Sequence, residues 1–437
     1  MSNPLRPISI SLSPNTEKDD IRLALRLFFK PWQWKISINQ RKDQHKSAVQ
    51  ELEEGFKKYL GVTHALSFNS GRSALMAILD SLGLKKGDEV LLQAFTCNAV
   101  VNPIIWSGLK PVFVDCNDNS TGSPFNIDIE DLKRKITHSA SSGRTPKSKA
   151  VIVQHTFGLP AQMEEIIRIC HEKNLMLIED CAHALGAEYR GYKIGIFGKA
   201  AFFSFGRDKV ISSVYGGMAV TNNEELAKKI KKYQEKIGYP SYWWIGQQLL
   251  HPVLMNYLIL PIYRVLGKYF LVIFQWLGIL SKAVQRKEKK AVKPRYFPKK
   301  LPNALAVLAI NQFKKLQKFI SHQKEIAEFY GKNLKDSDFL LPENKEGRVY
   351  LKYSILSEKQ ETDKILKEAR KSGIFLDDGW RKTPIVPSGT EQEKMGYIFG
   401  SCPQAEKIAK NIINLPTHIN ISQADASKIV NFLKELK

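Results

Sequence analysis

The sequence predicts an α/β protein: a large domain on a mostly parallel sheet flanked by helices, a smaller C-terminal α/β domain, and an apolar helical insertion between them. Three observations carry this reading. Seven short β-rich runs, HALSF, EVLLQ, PVFVD, AVIVQ, LMLIED, AAFFSF and GMAVT, alternate with helical patterns between residues 46 and 237. Near 238 the alternation gives way to long apolar runs. A helical pattern resumes near 296 with NALAVLAINQFKKLQKFISHQKEIAEFYGKNL and leads into a shorter mixed region. At 437 residues and 43% hydrophobic, the chain is long enough to bury more than one core.

Residues 1–45 are polar and basic apart from the amphipathic IRLALRLFFKPW, and read as an arm. The large domain, 46–237, contains FNSGRSAL, a strand end with a turn at Ser70 and Gly71 and a helix from Ser73 to Leu82 that Gly83 caps. In parallel sheets, ligands lie beyond the carboxyl ends of the strands, where Ser70, His155, Asp180 and Ser204 fall. The insertion, 238–295, holds two apolar runs, each too short to span a bilayer, separated by Arg264 and Lys268 and followed by a basic run. Two readings stand for it. One is a monotopic helical hairpin in a membrane interface, anchored by Trp243, Trp244 and Trp276; the other is a helical pair packed on the domain or on a second subunit. The small domain occupies 296–437.

A net charge of +23 points to an anionic partner: phosphates on a small substrate, a membrane surface or nucleic acid. No nucleic-acid reading module is visible, so none is expected to bind. Five cysteines without CxxC spacing indicate neither a disulfide framework nor a zinc site, and no metal is expected. The first residues lack the apolar core of a signal peptide. The expected place is the cytoplasm, and the membrane reading of the insertion would add peripheral contact at the inner face of the membrane.

Asp180 ends a hydrophobic strand and Lys209 follows in FFSFGRDK. One carboxylate and one amine at a sheet edge are what pyridoxal phosphate needs. The lysine forms a Schiff base with the cofactor aldehyde, and the aspartate keeps the pyridine nitrogen protonated so that the ring accepts electrons. A lysine is ordinarily solvent-facing, but this one precedes the glycine turn VYGGMAV on a sheet-edge loop. Gly71 lets backbone amides approach an anion at a helix N-terminus, and the Ser204 hydroxyl suits the same phosphate.

The segments SFNSGRSALMAIL, DEVLLQAFTCNAVVNPIIWSGLKPVFVD, QHTFGLPAQM, LIEDCAHALGA, GKAAFFSFGRDK, GGMAVTN and NLPTHINIS resemble, in order, the DegT/StrS family of pyridoxal-phosphate-dependent sugar aminotransferases. The resemblance implies the aspartate aminotransferase type of fold and a homodimer with sites at the subunit interface. It also implies transfer of an amino group from L-glutamate to a keto sugar nucleotide for surface polysaccharide or amino-sugar biosynthesis. By position, Lys209 matches the Schiff-base lysine and Asp180 the partner of the pyridine nitrogen. Gly71, Arg72 and Ser204 match phosphate contacts, and His183 matches the residue, usually glutamine, at the ring hydroxyl. Three departures stand out. Arg72 replaces a usual threonine, Cys97 stands where an aromatic ring commonly stacks on the cofactor, and RYFPKKLPNALA lacks the asparagine by which a neighbouring subunit touches the phosphate. Arg295, Lys299 and Lys300 are the candidates for that last contact, and Trp380 and Arg381 in FLDDGWRKTPIVP are candidates for substrate.

Relatives with histidine at the lysine position dehydrate sugars, and Lys209 argues against that branch. A cyclitol or lipid-linked ketone substrate, and a non-catalytic cofactor-binding membrane scaffold, are the other readings.

Overall fold

A computed structural model describes residues 5–35, 46–118, 124–140 and 147–436. Each predicted run of the large domain forms a strand: β1 His64–Phe68, β2 Glu89–Gln93, β3 Lys110–Val114, β4 Ser148–Gln154, β5 Met176–Asp180, β6 Ala200–Ser204 and β7 Gly217–Thr221. They assemble in the order β1-β7-β6-β5-β4-β2-β3. From β6 through β3 every pairing is parallel, while β7 runs antiparallel to both β6 and β1. The exception has a local cause. Residues 205–216 join β6 to β7 with no crossover helix to turn the chain around. Both faces of the sheet are covered, so Val90, Leu92 and Ile152 enter one core while Leu91, Val151 and Val153 enter the other.

The helix after β1 spans Gly71–Ser81, two residues earlier than the sequence suggests, because Ser70 is its N-cap and accepts a 3.1 Å bond from the Ser73 amide. It lies hard against the sheet. A Cβ on Gly217 would come within 2.4 Å of the Gly71 nitrogen, and one on Gly71 would come within 3.1 Å of Ser204 Cβ. This double-glycine approach aims the helix N-terminus across β6 and β7.

The small domain carries the antiparallel sheet β8 Phe339–Leu340, β9 Lys352–Ser357 and β10 Ile412–Pro416, packed on the helices Leu316–Leu334 and Gln423–Glu435. The described part of the N-terminal arm is woven into the body. Ile8–Ser9 pairs with Ile374–Phe375, and the helix Lys18–Phe28 packs on the helices Tyr242–Leu254 and Asn303–Phe313. Residues 36–45 of the predicted arm lie outside the described residues.

Within the insertion the two apolar runs join: the chain is helical almost throughout Tyr242–Trp276, a stretch long and apolar enough by composition to cross a membrane. This differs from two separate short runs, yet the stretch is not one straight rod. Gly267 packs on the Ile259 carbonyl, and the Gln247 side-chain amide donates to the Gly278 carbonyl, so the second arm returns along the first. Met255, Ile259, Leu260 and Leu280 form the small core of this hairpin with Phe270 and Phe274.

Because the Gly217 neighbours are backbone atoms that cannot rotate away, Gly217→Ala is expected to destabilise the protein by about 1–3 kcal/mol. Denaturant unfolding measures it, and an unchanged midpoint would rule out so tight an approach.

Candidate active site

The carboxyl ends of β5 and β6, the start of the Gly71–Ser81 helix, the segment 283–289 and the loop around Trp380 enclose a cavity of about 320 Å³. Gly71, Arg72, Cys97, Asp180, His183, Ser204 and Lys209 all line it. Residues 138 positions apart in the chain thus meet, as the strand ends require.

Asp180 is buried at the end of β5, and its Oδ1 accepts a 2.9 Å bond from the Ala182 amide. Burial pushes its carboxyl up to about 6, and the Ala182 amide and the nearby Lys209 charge only partly offset this. A carboxylate in such a place calls for a cation. Lys209 is about 15% exposed, with Nζ 3.8 Å from Asp208 Oδ1. Its loop is fixed from outside, since Asn15 Nδ2 donates to the Lys209 and Val210 carbonyls at 2.8 and 3.0 Å. Asp208 would be raised by burial, but Lys209 and Lys352 hold it below the ordinary carboxylate range.

His183 lies flat on Phe157, ring centroids 5.5 Å apart, and meets the Trp380 edge at 4.7 Å. Burial, then the charges of Lys209 and Lys352, drive its pKa well below the usual value, so it is neutral. Its Nδ1 accepts from the Phe157 amide at 3.4 Å, which leaves the proton on Nε2. At the other end of the cavity, Ser70 takes the Ser73 amide and leaves the amides of Gly71 and Arg72 for an anion, with the half-buried Ser204 hydroxyl beside them.

Arg72 lines the cavity, but its guanidinium is engaged elsewhere. Its Nε lies 2.8 Å from Glu288 Oε2 of the insertion, its Nη2 donates to the Ala283 carbonyl, and the group rests over Phe297. Its side chain thus anchors the segment that roofs the cavity, and what it offers a phosphate is its backbone amide. Arg381 is corrected. It is buried against Asp363 and Asp377 and braces the small-domain helix Thr362–Lys371, away from the cavity, while Trp380 does line it. Arg295 and Lys300 lie outside this cavity as well. Arg295 borders a neighbouring one, and the Lys300 amine sits 5.8 Å over the Tyr239 ring. His155 is no ligand at the strand ends: it is fully buried, 3.3 Å from Glu179, whose oxygens also accept three backbone amides.

Sequence reading missed several residues. Asp378 lines the cavity and pairs at 2.5 Å with Lys352, itself buried between the Phe157 and Trp380 rings. A lysine inside VYLKYSILS was the available signal, because burial in a strand demands a partner. Arg207 and Tyr215 line the cavity and hold its roof, bonding to the Ser281 carbonyl at 2.6 Å and the Lys282 carbonyl at 2.7 Å.

The sequence pattern of the DegT/DnrJ/EryC1/StrS aminotransferase family matches residues 37–434. The chain is similar to GDP-perosamine synthase of Escherichia coli O157:H7, 27% identical over 390 residues and 89% of each chain. It is also similar to UDP-N-acetyl-3-dehydro-alpha-D-glucosamine 3-aminotransferase of Acidithiobacillus ferrooxidans, 25% identical over 86% of this chain and 84% of that one. The fold is shared with Helicobacter pylori PseC, an aminotransferase involved in the biosynthesis of pseudoaminic acid, at a TM-score of 0.70 and 22% identity over 98% of both chains.

A carboxyl raised to about 6 binds its proton more tightly in the folded than in the unfolded chain. Its contribution to stability is complete below about pH 4 and lost as pH rises through 6. Cofactor-free Asp180→Asn should therefore gain on the parent by on the order of 2–3 kcal/mol between pH 4 and 7. Urea unfolding at both pH values reads this, and parallel profiles would show that Asp180 is not raised.

Proposed function

The chain belongs to the DegT/DnrJ/EryC1/StrS aminotransferase family, and from that premise we propose that it moves an amino group from L-glutamate to a keto sugar nucleotide in surface polysaccharide or amino-sugar biosynthesis. It does so in the cytoplasm, as a homodimer. The observation that carries the reading is that Asp180, Lys209 and a helix N-terminus cradled by two glycines line one cavity. The donor set fits pyridoxal phosphate, the family's cofactor. When bound, pyridoxal phosphate supplies an aldehyde that takes up the amino group and a ring that withdraws electrons from the substrate carbon.

The chain's own residues do the rest. The amides of Gly71 and Arg72 and the Ser204 hydroxyl hold the phosphate. Asp180 keeps the pyridine nitrogen protonated, and that cation satisfies the carboxylate which burial alone would neutralise. His183 Nε2 donates to the ring hydroxyl. Lys209 Nζ anchors the cofactor and then carries the proton to and from the substrate carbon that bears the nitrogen. The first half of the exchange releases 2-oxoglutarate, and the second delivers the amino sugar. Arg295 and Lys300, which lie outside the cavity of their own chain, are assigned to the phosphate contact in the site of a second copy.

Lys209→Ala is expected to lose the visible absorbance of the lysine-bound cofactor and to lower glutamate-dependent amino transfer by roughly 10³-fold or more. A panel of keto sugar nucleotides, followed by 2-oxoglutarate release and mass of the product, tests the substrate class. Full activity in the variant, or release of an unaminated deoxy sugar, would refute the assignment.

A further inference from the structure

We propose that the outer face of the insertion's hairpin is a docking surface for an anionic lipid bilayer, lying in the interface without crossing it. Trp243, Val272 and Trp276 are 66%, 64% and 82% exposed, and Tyr257, Leu266 and Tyr269 are exposed with them. An apolar surface this extended is rare on a soluble protein with nothing to cover it. The first arm is held to the body by its inner face, where Trp244, Ile245 and Leu249 enter the core shared with the helix Lys18–Phe28. Only the outer face and the tip are therefore available, which suits an in-plane attachment.

A sequence-distant segment extends the same face. Phe29 and Trp32 are exposed at the end of the Lys18–Phe28 helix, and a chain of ring contacts runs from Phe29 through Phe28 and Trp34 to Tyr242, at 5.6, 6.0 and 5.9 Å.

Charge selects the occupant. Residues 238–300 hold eleven lysines and arginines and one acid, Glu288. That acid is fully buried against Arg72, so the insertion adds no exposed negative charge of its own. Lys268 lies 4.9 Å over the Tyr269 ring at the hairpin's turn, aromatic and basic groups side by side as at a headgroup boundary. At the hairpin's base a cavity of about 560 Å³ is bordered by Trp243 together with Lys282, Arg286 and Lys287, an apolar wall beside a cluster of cations that fits a lipid phosphate. A second copy of the chain on this face would set like charges against like across a two-fold axis. A bilayer carrying anionic headgroups meets both the apolar ridge and its basic margin.

The test uses the holoenzyme with phosphatidylcholine vesicles, with and without phosphatidylglycerol, read by co-sedimentation and tryptophan fluorescence. Binding is expected to the anionic vesicles and to weaken with salt. Val272→Glu/Trp276→Glu should abolish it, and Lys282→Gln/Arg286→Gln/Lys287→Gln should lower the partition coefficient about fivefold for each charge removed. Both variants should keep the visible cofactor absorbance, which reports an intact fold. The proposal is overturned if the parent stays in the supernatant with anionic vesicles or if either variant binds as the parent does. It is equally overturned if the glutamate pair lowers the mass of the particle in solution, since that would identify a second copy of the chain as the occupant.

Discussion

An acid buried at the end of a hydrophobic strand is the constraint around which the site is organised. Asp180 has one backbone donor and, among the described residues, no cation in direct contact, and burial, only partly offset by the Ala182 amide and the Lys209 charge, moves its carboxyl up to about 6. The fold answers with a lattice of charges at short range. Lys209 faces it from the β6–β7 loop, Asp208 sits 3.8 Å from Lys209, and Lys352 reaches in from the small domain paired with Asp378. In a medium of low dielectric each charge sets the protonation of the next. Burial first, and then the Lys209 and Lys352 charges, push the His183 pKa well down, while the same two charges outweigh burial at Asp208 and hold its carboxyl below the ordinary range.

Local signals made much of this legible. Periodicity located all seven strands, because a parallel sheet covered on both faces needs continuous apolar runs between turns. The same signals placed Asp180, Lys209, Ser204 and Gly71 at strand ends, where they are found. What could not be read depends on pairing across the chain. The Lys352–Asp378 pair joins β9 to a loop, and nothing near either residue names the other. Arg381 shows the converse. It sits next to Trp380, which does line the cavity, but the adjacent side chain points the opposite way to meet Asp363. Adjacency in an extended loop says little about which side a residue faces.

The site also depends on segments that lie outside the α/β core. Asn15, from the N-terminal arm, bonds the carbonyl of Lys209 itself, while the Asn15 carbonyl accepts from Gln312. From the other side, the carbonyls of Ser281 and Lys282 are gripped by Arg207 and Tyr215. The loop that carries the catalytic amine is thus pinned between the arm and the insertion. A lysine with four rotatable carbons needs such support if its nitrogen is to return to one place in every cycle.

Arg72 and the insertion meet in one interaction. A guanidinium at position 72, where threonine is usual, would leave a buried charge beside the cavity, which is costly unless paired. The insertion supplies the pair in Glu288, its only acid, at 2.8 Å; burial would weaken the charge on Arg72, and Glu288 restores it. The same segment is fastened nearby, where Asn102 donates to the Glu288 carbonyl at 3.0 Å and Lys289 to the Ser388 carbonyl at 2.6 Å. Removing either partner alone would strand the other charge, so Arg72 and the insertion are energetically coupled and best understood together. The arginine is the inner end of a clasp whose outer end is the hairpin.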